Sequence, residues 1–487
     1  MGGGLAGLYA VLHLPAQWSV LVVDKGTETR AGSSPLAQGG MAVAIGPGDS
    51  PSLHAEDTLR VGAGAGVSDA VDVLTTEAGE ELERLVELGC RFDRSSDGSF
   101  DLNREGGQSV ARSVHAADAT GRELMRVVRG HARRRAERMV GTAVKLLLKD
   151  DVCVGAVVRT EGSMITSVSA GVTLLATGGC GALYEATTNT EASTGDGVAL
   201  AYRAGARVAD VEFVQFHPTT LAAGRGQRVL LTEALRGAGA HVIDQDGERF
   251  LFDVHLDGEL APRDVVARAI DARGEAYLDA RPLGAEEIER RFPNVAAAAR
   301  ERGYDLAGEP VPIAPAAHYF LGGVATDLDG RTTIRGLFAA GECAATGVHG
   351  ANRMAGNSLT EAVVFGHRAA RTMAAADPGP AAPTGSERIG SIHDEAGWAA
   401  LRAAMTEGAG LARSAESLRV ASGVVEEIVS ATGDEHLRLG AIAASLTCRA
   451  AALRDESRGV HFRSDHPAPD PGWDNRHIEL DLPGSPD

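Results

Sequence analysis

The sequence opens on Gly2-x-Gly4-x-x-Gly7, and no other feature constrains its fold as strongly. The glycines lead into an apolar helical face of Leu5, Leu8, Val11 and Leu12, stopped by Pro15. A strand-like run, residues 19–23, follows and terminates at Asp24. Glycine here permits a tight turn and close approach of backbone to a pyrophosphate. The helix N-terminus adds unpaired N–H donors, and an acid ending the second strand can hold a ribose hydroxyl. A glycine-rich turn without a ligand is the alternative for the motif taken alone. The strand that ordinarily precedes such a motif is missing, because the sequence starts at Met1. In that topology it is central and buried on both faces, so its loss exposes strand edges. The reading is a translation start upstream of Met1, with an inactive, N-terminally truncated fragment as the alternative.

Glycine is the compositional excess that fits this beginning: 61 of 487 residues, gathered at element boundaries. The length is that of two to four domains. Lys+Arg of 47 against Asp+Glu of 66 gives a net charge of −19, which argues against nucleic-acid and anionic-membrane surfaces. No apolar run is long enough to span a membrane, and no signal peptide is visible. Cys90, Cys153, Cys180, Cys343 and Cys448 are odd in number and form no CxxC pair. They read as reduced thiols of a cytoplasmic protein, and no metal site is expected.

The chain reads as α/β: a Rossmann-like domain over residues 1–210 and 320–375, an inserted α+β capping domain over 211–319, and a C-terminal helical domain over 391–463. A Pro-rich linker at 376–390 and a loose tail at 464–487 complete it. Helical periodicity is expected at about 70–89 and 122–138, with Arg133-Arg134-Arg135 on a solvated face. Strand-like runs lie at 140–148, 152–158, 172–176 and 334–342. Leu439, Ile442, Leu446 and Leu453 mark one buried helix face.

Further motifs appear in order along the chain. They are Ser33-Ser-Pro-Leu-Ala-Gln-Gly-Gly40, Gly195-Asp-Gly197, Glu212-Phe-Val-Gln-Phe-His-Pro-Thr219 and Leu231-Thr-Glu-Ala-Leu-Arg-Gly237. After these come Ala261-Pro-Arg-Asp-Val-Val-Ala-Arg-Ala269, His318-Tyr319-x-x-Gly322-Gly323, His349-Gly-Ala-Asn-Arg-Met354 and Asn357-Ser-Leu359. Together they resemble the fumarate reductase/succinate dehydrogenase flavoprotein superfamily, from residue 2 to about residue 463. Respiratory members attach FAD to a histidine five residues before the Gln of the AQGG turn. That position is Ser33 here, so the resemblance implies non-covalent FAD. Arg104-Glu105-Gly106-Gly107 resembles the L-aspartate oxidase branch. Aspartate adds an ammonium to the two carboxylates of succinate, and Glu105 is a fitting negative partner; a surface-loop carboxylate is the alternative. Gln108 stands where His is usual, and Gly356 where Ser is usual.

The resemblance assigns His217, Thr232, His318 and Arg353 to the substrate carboxylates, with a structural histidine as the alternative for His217. Arg263 becomes the acid/base. An arginine is a poor base unless its surroundings disfavour the cation, so a mainly electrostatic role stays open. Arg236, Arg268 and His349 are balanced between packing and direct contact. For FAD, the resemblance places Gly2, Gly4, Leu5, Ala6 and Gly7 at the pyrophosphate and Asp24 and Lys25 near the adenosine ribose. Ser33, Ser34, Ala37, Gln38, Gly39 and Gly40 wrap the dinucleotide, and Ala143 and Val144 reach adenine. Asp196 and Glu342 bond ribityl or ribose hydroxyls, and Ser358 and Leu359 meet the flavin N1–C2=O edge. The implied activity is oxidation of L-aspartate to iminoaspartate, the first step toward quinolinate and NAD, with flavin reoxidised by oxygen or fumarate. Functional coupling to a quinolinate synthase is a further implication. A soluble fumarate reductase or succinate dehydrogenase flavoprotein is the competing reading.

Overall fold

Two strand pairs flank the start of the chain in the computed structural model, which describes residues 1–26, 32–160, 164–222, 226–388 and 393–482. Strand Leu21–Asp24 runs parallel to the first residues of Glu137–Lys149, and Thr173–Leu175 runs parallel to Leu337–Ala339. The backbone of Met1 and Gly2 joins them: Gly2 N–H donates to Val23 O at 2.8 Å, and Ala176 N–H donates to Met1 O at 2.8 Å. Gly2 has φ +110°, and a Cβ there would lie 1.9 Å from Ala176 O, so only glycine fits this approach. Helix Leu5–His13 then packs on helix Asn357–Ala375, burying Leu5, Leu8 and Val11 as expected and also Tyr9.

Strands Glu137–Lys149, Val152–Thr160 and Met164–Ser169 extend this layer as an antiparallel meander. The helix expected at 122–138 is shorter, Thr120–Ala132, because the apolar alternation of the following strand takes over from Glu137. Arg135 is not simply solvated. Its guanidinium donates to Leu14 O, Pro15 O and Ala16 O, closing the C-terminal end of the first helix.

Residues 221–313 form a separate apolar core that includes Leu235, Val242, Val266, Leu278, Val295 and Ile313. Two long antiparallel strands, Val214–Leu221 and Val311–Phe320, carry its sheet back toward the first layer. They bring His217 and His318 to one place, with ring centroids 5.0 Å apart.

Helices Glu395–Gly408, Ala415–Ala431 and Glu435–Leu453 pack on one another, the last also on helix Asp196–Arg203. Leu439 and Leu446 are buried, but Leu453 ends the helix in solvent. Two readings of irregular chain need correction. Within the linker, Gly385–Arg388 is a strand on the edge of Met164–Ser169, and residues 389–390 lie outside the described residues. The tail is anchored, not loose: Glu479–Leu480 pairs with Val208–Ala209, burying Ile478 and Leu480, while His477 Nδ1 meets Asp210 at 2.6 Å. Local apolar alternation there outweighs the Pro- and Asp-rich composition; residues 483–487 lie outside the described residues.

Candidate active site

A cavity of about 480 Å³ runs from the glycine-rich turn to the His217–His318 pair. At its dinucleotide end, Gly2, Gly4, Leu5 and Ala6 stand beside the N-terminus of helix Leu5–His13, where Leu5 N–H donates to Ser34 Oγ at 3.1 Å. Ser33, Ser34, Ala37, Gln38, Gly39 and Gly40 line one wall, and Ala143, Glu342, Ser358 and Leu359 line others. Ser33 Oγ lies 3.2 Å from Ser193 Oγ.

Several charged groups at this end are already partnered. Asp24 is 3.0 Å from Arg138. Lys25 Nζ donates to Asp196 Oδ1 and Thr194 Oγ1, each at 2.8 Å, so the two residues expected near ribose both line the cavity and form an ion pair there. Glu342 is different. Burial, opposed by the Phe320 N–H and the Arg353 charge, lifts its carboxyl to about 7, leaving it a good partner for hydroxyls. Gln38 Oε1 and Asn189 Oδ1, both lining the cavity, have no hydrogen-bond partner among the described residues. Two expected residues do not reach the wall. Gly7 packs its helix against Gly2 O, and Val144 occupies an irregularity in the pairing of Glu137–Lys149 with Val152–Thr160.

At the other end, Glu105, His217, Thr232, Arg263, His318 and Arg353 all line the cavity. Gln215, inside a quoted motif but without an assigned role, organises the cations. Its Oε1 accepts from Arg263 Nη1 at 3.2 Å and Arg353 Nη2 at 3.1 Å, while its Nε2 donates to Asn352 Oδ1 and Arg353 O. Arg353 also lies 4.6 Å over the Tyr319 ring, donates to Ser358 Oγ at 3.2 Å, and keeps Nε unpartnered. Burial, aided by the neighbouring Arg263 cation, lowers its pKa to about 10.

Arg263 Nε is ion-paired to Glu233 Oε2. Burial alone would raise the Glu233 carboxyl, but Arg263 and Arg236 outweigh it and hold the group below its ordinary value. Glycine at 106 makes room for this acid: a Cβ there would stand 1.9 Å from Glu233 Oε1. Glu105 is buried and accepts the Gly40 N–H at 3.0 Å. Burial raises its pKa and Glu233 adds to the rise, while the Gly40 N–H, Arg263 and Arg353 oppose it.

Burial, with the Arg263 and Arg353 cations, lowers both histidines well below their ordinary value and keeps them neutral. Thr219 N–H donates to His217 Nδ1 at 3.3 Å, which fixes the proton on Nε2. His318 Nδ1 sits 2.8 Å from Thr188 Oγ1. Thr232 begins helix Glu233–Ala238, accepting the Ala234 N–H with its hydroxyl. Arg236, Arg268 and His349 do not line the cavity. Arg236 donates to Glu259 O, Arg268 pairs with Asp264, and His349 with Glu361. The sequence reading missed Gln215, Glu233, Tyr319, Thr188 and Asn189. The first three stood within or beside quoted motifs; no pattern marked Thr188 or Asn189.

The arrangement offers two guanidiniums, the His217 Nε2–H and the neutral His318 ring for anionic oxygens, with the raised Glu105 carboxyl in the same cavity. That set suits a small dicarboxylate carrying an amine.

The FAD binding domain family model matches residues 1–359, and the fumarate reductase flavoprotein C-terminal model matches residues 435–478. An L-aspartate oxidase of Nostoc sp. is 42% identical over 97% of this chain and 91% of its own length. One from Streptomyces coelicolor is 43% identical over 99% and 90%. Among solved structures, a mutant of E. coli quinol fumarate reductase FrdA aligns with a TM-score of 0.87 at 28% identity, over 98% of this chain and 93% of that one. Mycobacterium smegmatis Sdh1 in complex with UQ1 aligns with a TM-score of 0.81 at 29% identity, over 98% and 90%.

Proposed function

This chain belongs to the L-aspartate oxidase family, and from that premise we propose the following assignment of chemistry to its residues. The protein is an FAD-dependent oxidoreductase that converts L-aspartate to iminoaspartate. FAD fits the cavity's dinucleotide end: a glycine turn at a helix N-terminus meets the pyrophosphate, Gln38 Oε1 and Asn189 Oδ1 are uncommitted acceptors, and Glu342, whose Oε1 takes the Phe320 N–H, lines the same wall. No histidine stands at position 33, so the cofactor is held without a bond there. When bound, FAD supplies the two-electron acceptor for the hydride leaving substrate Cα.

Arg353, His318, His217 and Thr232 bind the two carboxylates. The guanidinium offers parallel N–H donors, and His217 offers Nε2–H, fixed by Thr219. Gln215 holds Arg353 and Arg263 at a set separation. Arg263 stays ion-paired to Glu233, and we assign it electrostatic binding of the substrate's anionic carboxylate oxygens. Glu105 receives the ammonium and takes one of its protons, freeing the nitrogen lone pair to expel the hydride. The cap core over residues 221–313 closes the site from water through Asn294, Ala298 and Arg302 on the cavity rim.

Fumarate fits the same carboxylate clamp, so it serves with oxygen as an acceptor; the fold shared with FrdA supports this. We place the protein in the cytoplasm and propose that its product passes to a quinolinate synthase. Five free buried cysteines support the first, and the product's chemistry the second. No helix among the described residues is long and apolar enough to cross a membrane. The observation carrying the reading is Glu105, a buried acid in the same cavity as Arg263 and Arg353. The test is anaerobic mixing with aspartate or succinate: aspartate should bleach the flavin absorbance, and succinate should do so far more slowly. Equal bleaching by both would remove the amine-reading role.

A further inference from the structure

Behind Glu105 lies a second cavity, about 50 Å³, whose walls include Gln38, Gly39, Gly40, Glu105, Asp118 and Thr232 in common with the large one. At ~15 Å³ of such volume per molecule it holds about three waters. Its far wall is His115, with Asp93 and Asp101. A small three-stranded sheet sets this arrangement: Met41 and Leu102 both pair with Val114, so Gly40, Asp101 and His115 fall one step along the same row. Gly40 N–H is the group that holds Glu105 Oε1.

His115 is 7% exposed, and its two ring nitrogens face the carboxylates of Asp93 and Asp101. Its Nδ1 is 3.1 Å from Asp93 Oδ2 and its Nε2 is 3.9 Å from Asp101 Oδ2. Both acids are about half exposed, at 46% and 52%, so they connect the ring to solvent. The charged groups facing this ring are Asp93 and Asp101 from the loop after helix Ser68–Glu87, and Arg291 from the cap. Arg290, Asp118 and Glu105 share the cavity. Burial lowers the imidazole and Arg291 adds to this, against the raising effect of Asp93 and Asp101.

We propose that His115 relays the proton that Glu105 takes from the substrate ammonium, through the water-sized cavity, to Asp93, Asp101 and solvent. The inference rests on the aspartate-oxidising reading. One ammonium proton passes to a Glu105 oxygen, leaving a neutral amine. The Cα hydrogen then leaves as hydride, with both bonding electrons, for which FAD would supply the acceptor, and the nitrogen lone pair closes the C=N bond of an iminium. The Glu105 proton then moves by water to one ring nitrogen of His115 while the other releases a proton outward, and Glu105 returns to carboxylate. His115 acts through Glu105 and does not touch the substrate. The route uses none of the side chains of the ion-paired Arg263–Glu233–Arg236 row.

The test compares wild type with His115→Gln in two anaerobic half-reactions, flavin reduction by aspartate and reoxidation by fumarate, across pH and in D2O. The variant should lose at least about tenfold in the aspartate half-reaction, with an altered pH profile and a larger solvent isotope effect. It should keep the fumarate half-reaction, which needs no amine deprotonation. Free imidazole should restore part of the rate in His115→Ala. In the resting protein, the His115 ring resonances should shift in Glu105→Gln. An unchanged aspartate rate and pH profile, equal loss in both half-reactions, no imidazole rescue, or unmoved resonances would each overturn the relay. A wild type that aspartate fails to reduce would instead sink the substrate reading, and the relay with it.

Discussion

The two ends of the main cavity solve opposite electrostatic problems. At the dinucleotide end, charges are paired off within the protein: Lys25 with Asp196, Asp24 with Arg138. What remains is backbone, glycine and uncharged acceptors, plus Glu342, half-titrated near pH 7. At the diacid end, Arg263, Arg353, Arg236, Glu105 and Glu233 are buried together, and the pairing is incomplete. Arg353 Nε, Arg236 Nε and Glu233 Oε1 make no hydrogen bond among the described residues, Glu233 Oε1 lying 3.8 Å from Arg236 Nη2. The first end is shaped to receive a large ligand by geometry. The second is held in a costly arrangement that a small dianion with one ammonium would complete.

Substitutions should therefore hurt unequally. Arg353→Leu removes a buried, hydrogen-bonded cation from the clamp, and should cost about 4 kcal/mol, near a thousandfold in kcat/KM for aspartate and fumarate alike. The flavin spectrum should survive; its loss would mean that the two ends are not separable. Glu342→Gln should act on pH dependence. The folded carboxyl titrates at about 7 and the unfolded one near 4.5, so the native state binds the extra proton between them. Its stabilisation is full below pH 4.5 and is lost as pH rises through 7, worth roughly 3 kcal/mol at most. Denaturant titrations of flavin-free protein should show that decline, weakened in Glu342→Gln. A slope identical to wild type would contradict the raised carboxyl. Asp24→Asn should do least, changing FAD affinity by less than about fivefold, because a partly exposed pair with Arg138 contributes little. A large loss of FAD would show that this end depends on charge as the other does.

The same contrast explains what could be read in the sequence. The glycine turn, its helix and Asp24 lie within one short segment, so local pattern revealed them. The diacid end is assembled from Glu105, His217, Thr232, Arg263, His318 and Arg353, distant in sequence and carried by different elements. Only the order of several motifs, matched to a known family, pointed to them. Gln215 and Glu233 were visible as letters, but their work lies in whom they touch, and spacing does not encode that. Lys25 and Asp196 show the same limit: each was read as a cofactor contact on its own, and only the fold shows that they are also an ion pair on the cavity wall. The anchored Glu479–Leu480 strand was hidden because composition averages over a short apolar alternation among prolines and acids.

The account depends on a buried acid that distinguishes an amino diacid from a plain one. The direct measurement is anaerobic stopped-flow of Glu105→Gln beside wild type, following flavin reduction by aspartate and reoxidation by fumarate. The predicted result is loss of about 10²-fold or more in the aspartate reaction, with fumarate turnover changed less than about threefold. A variant that oxidises aspartate at the wild-type rate, or loses both reactions equally, would contradict it.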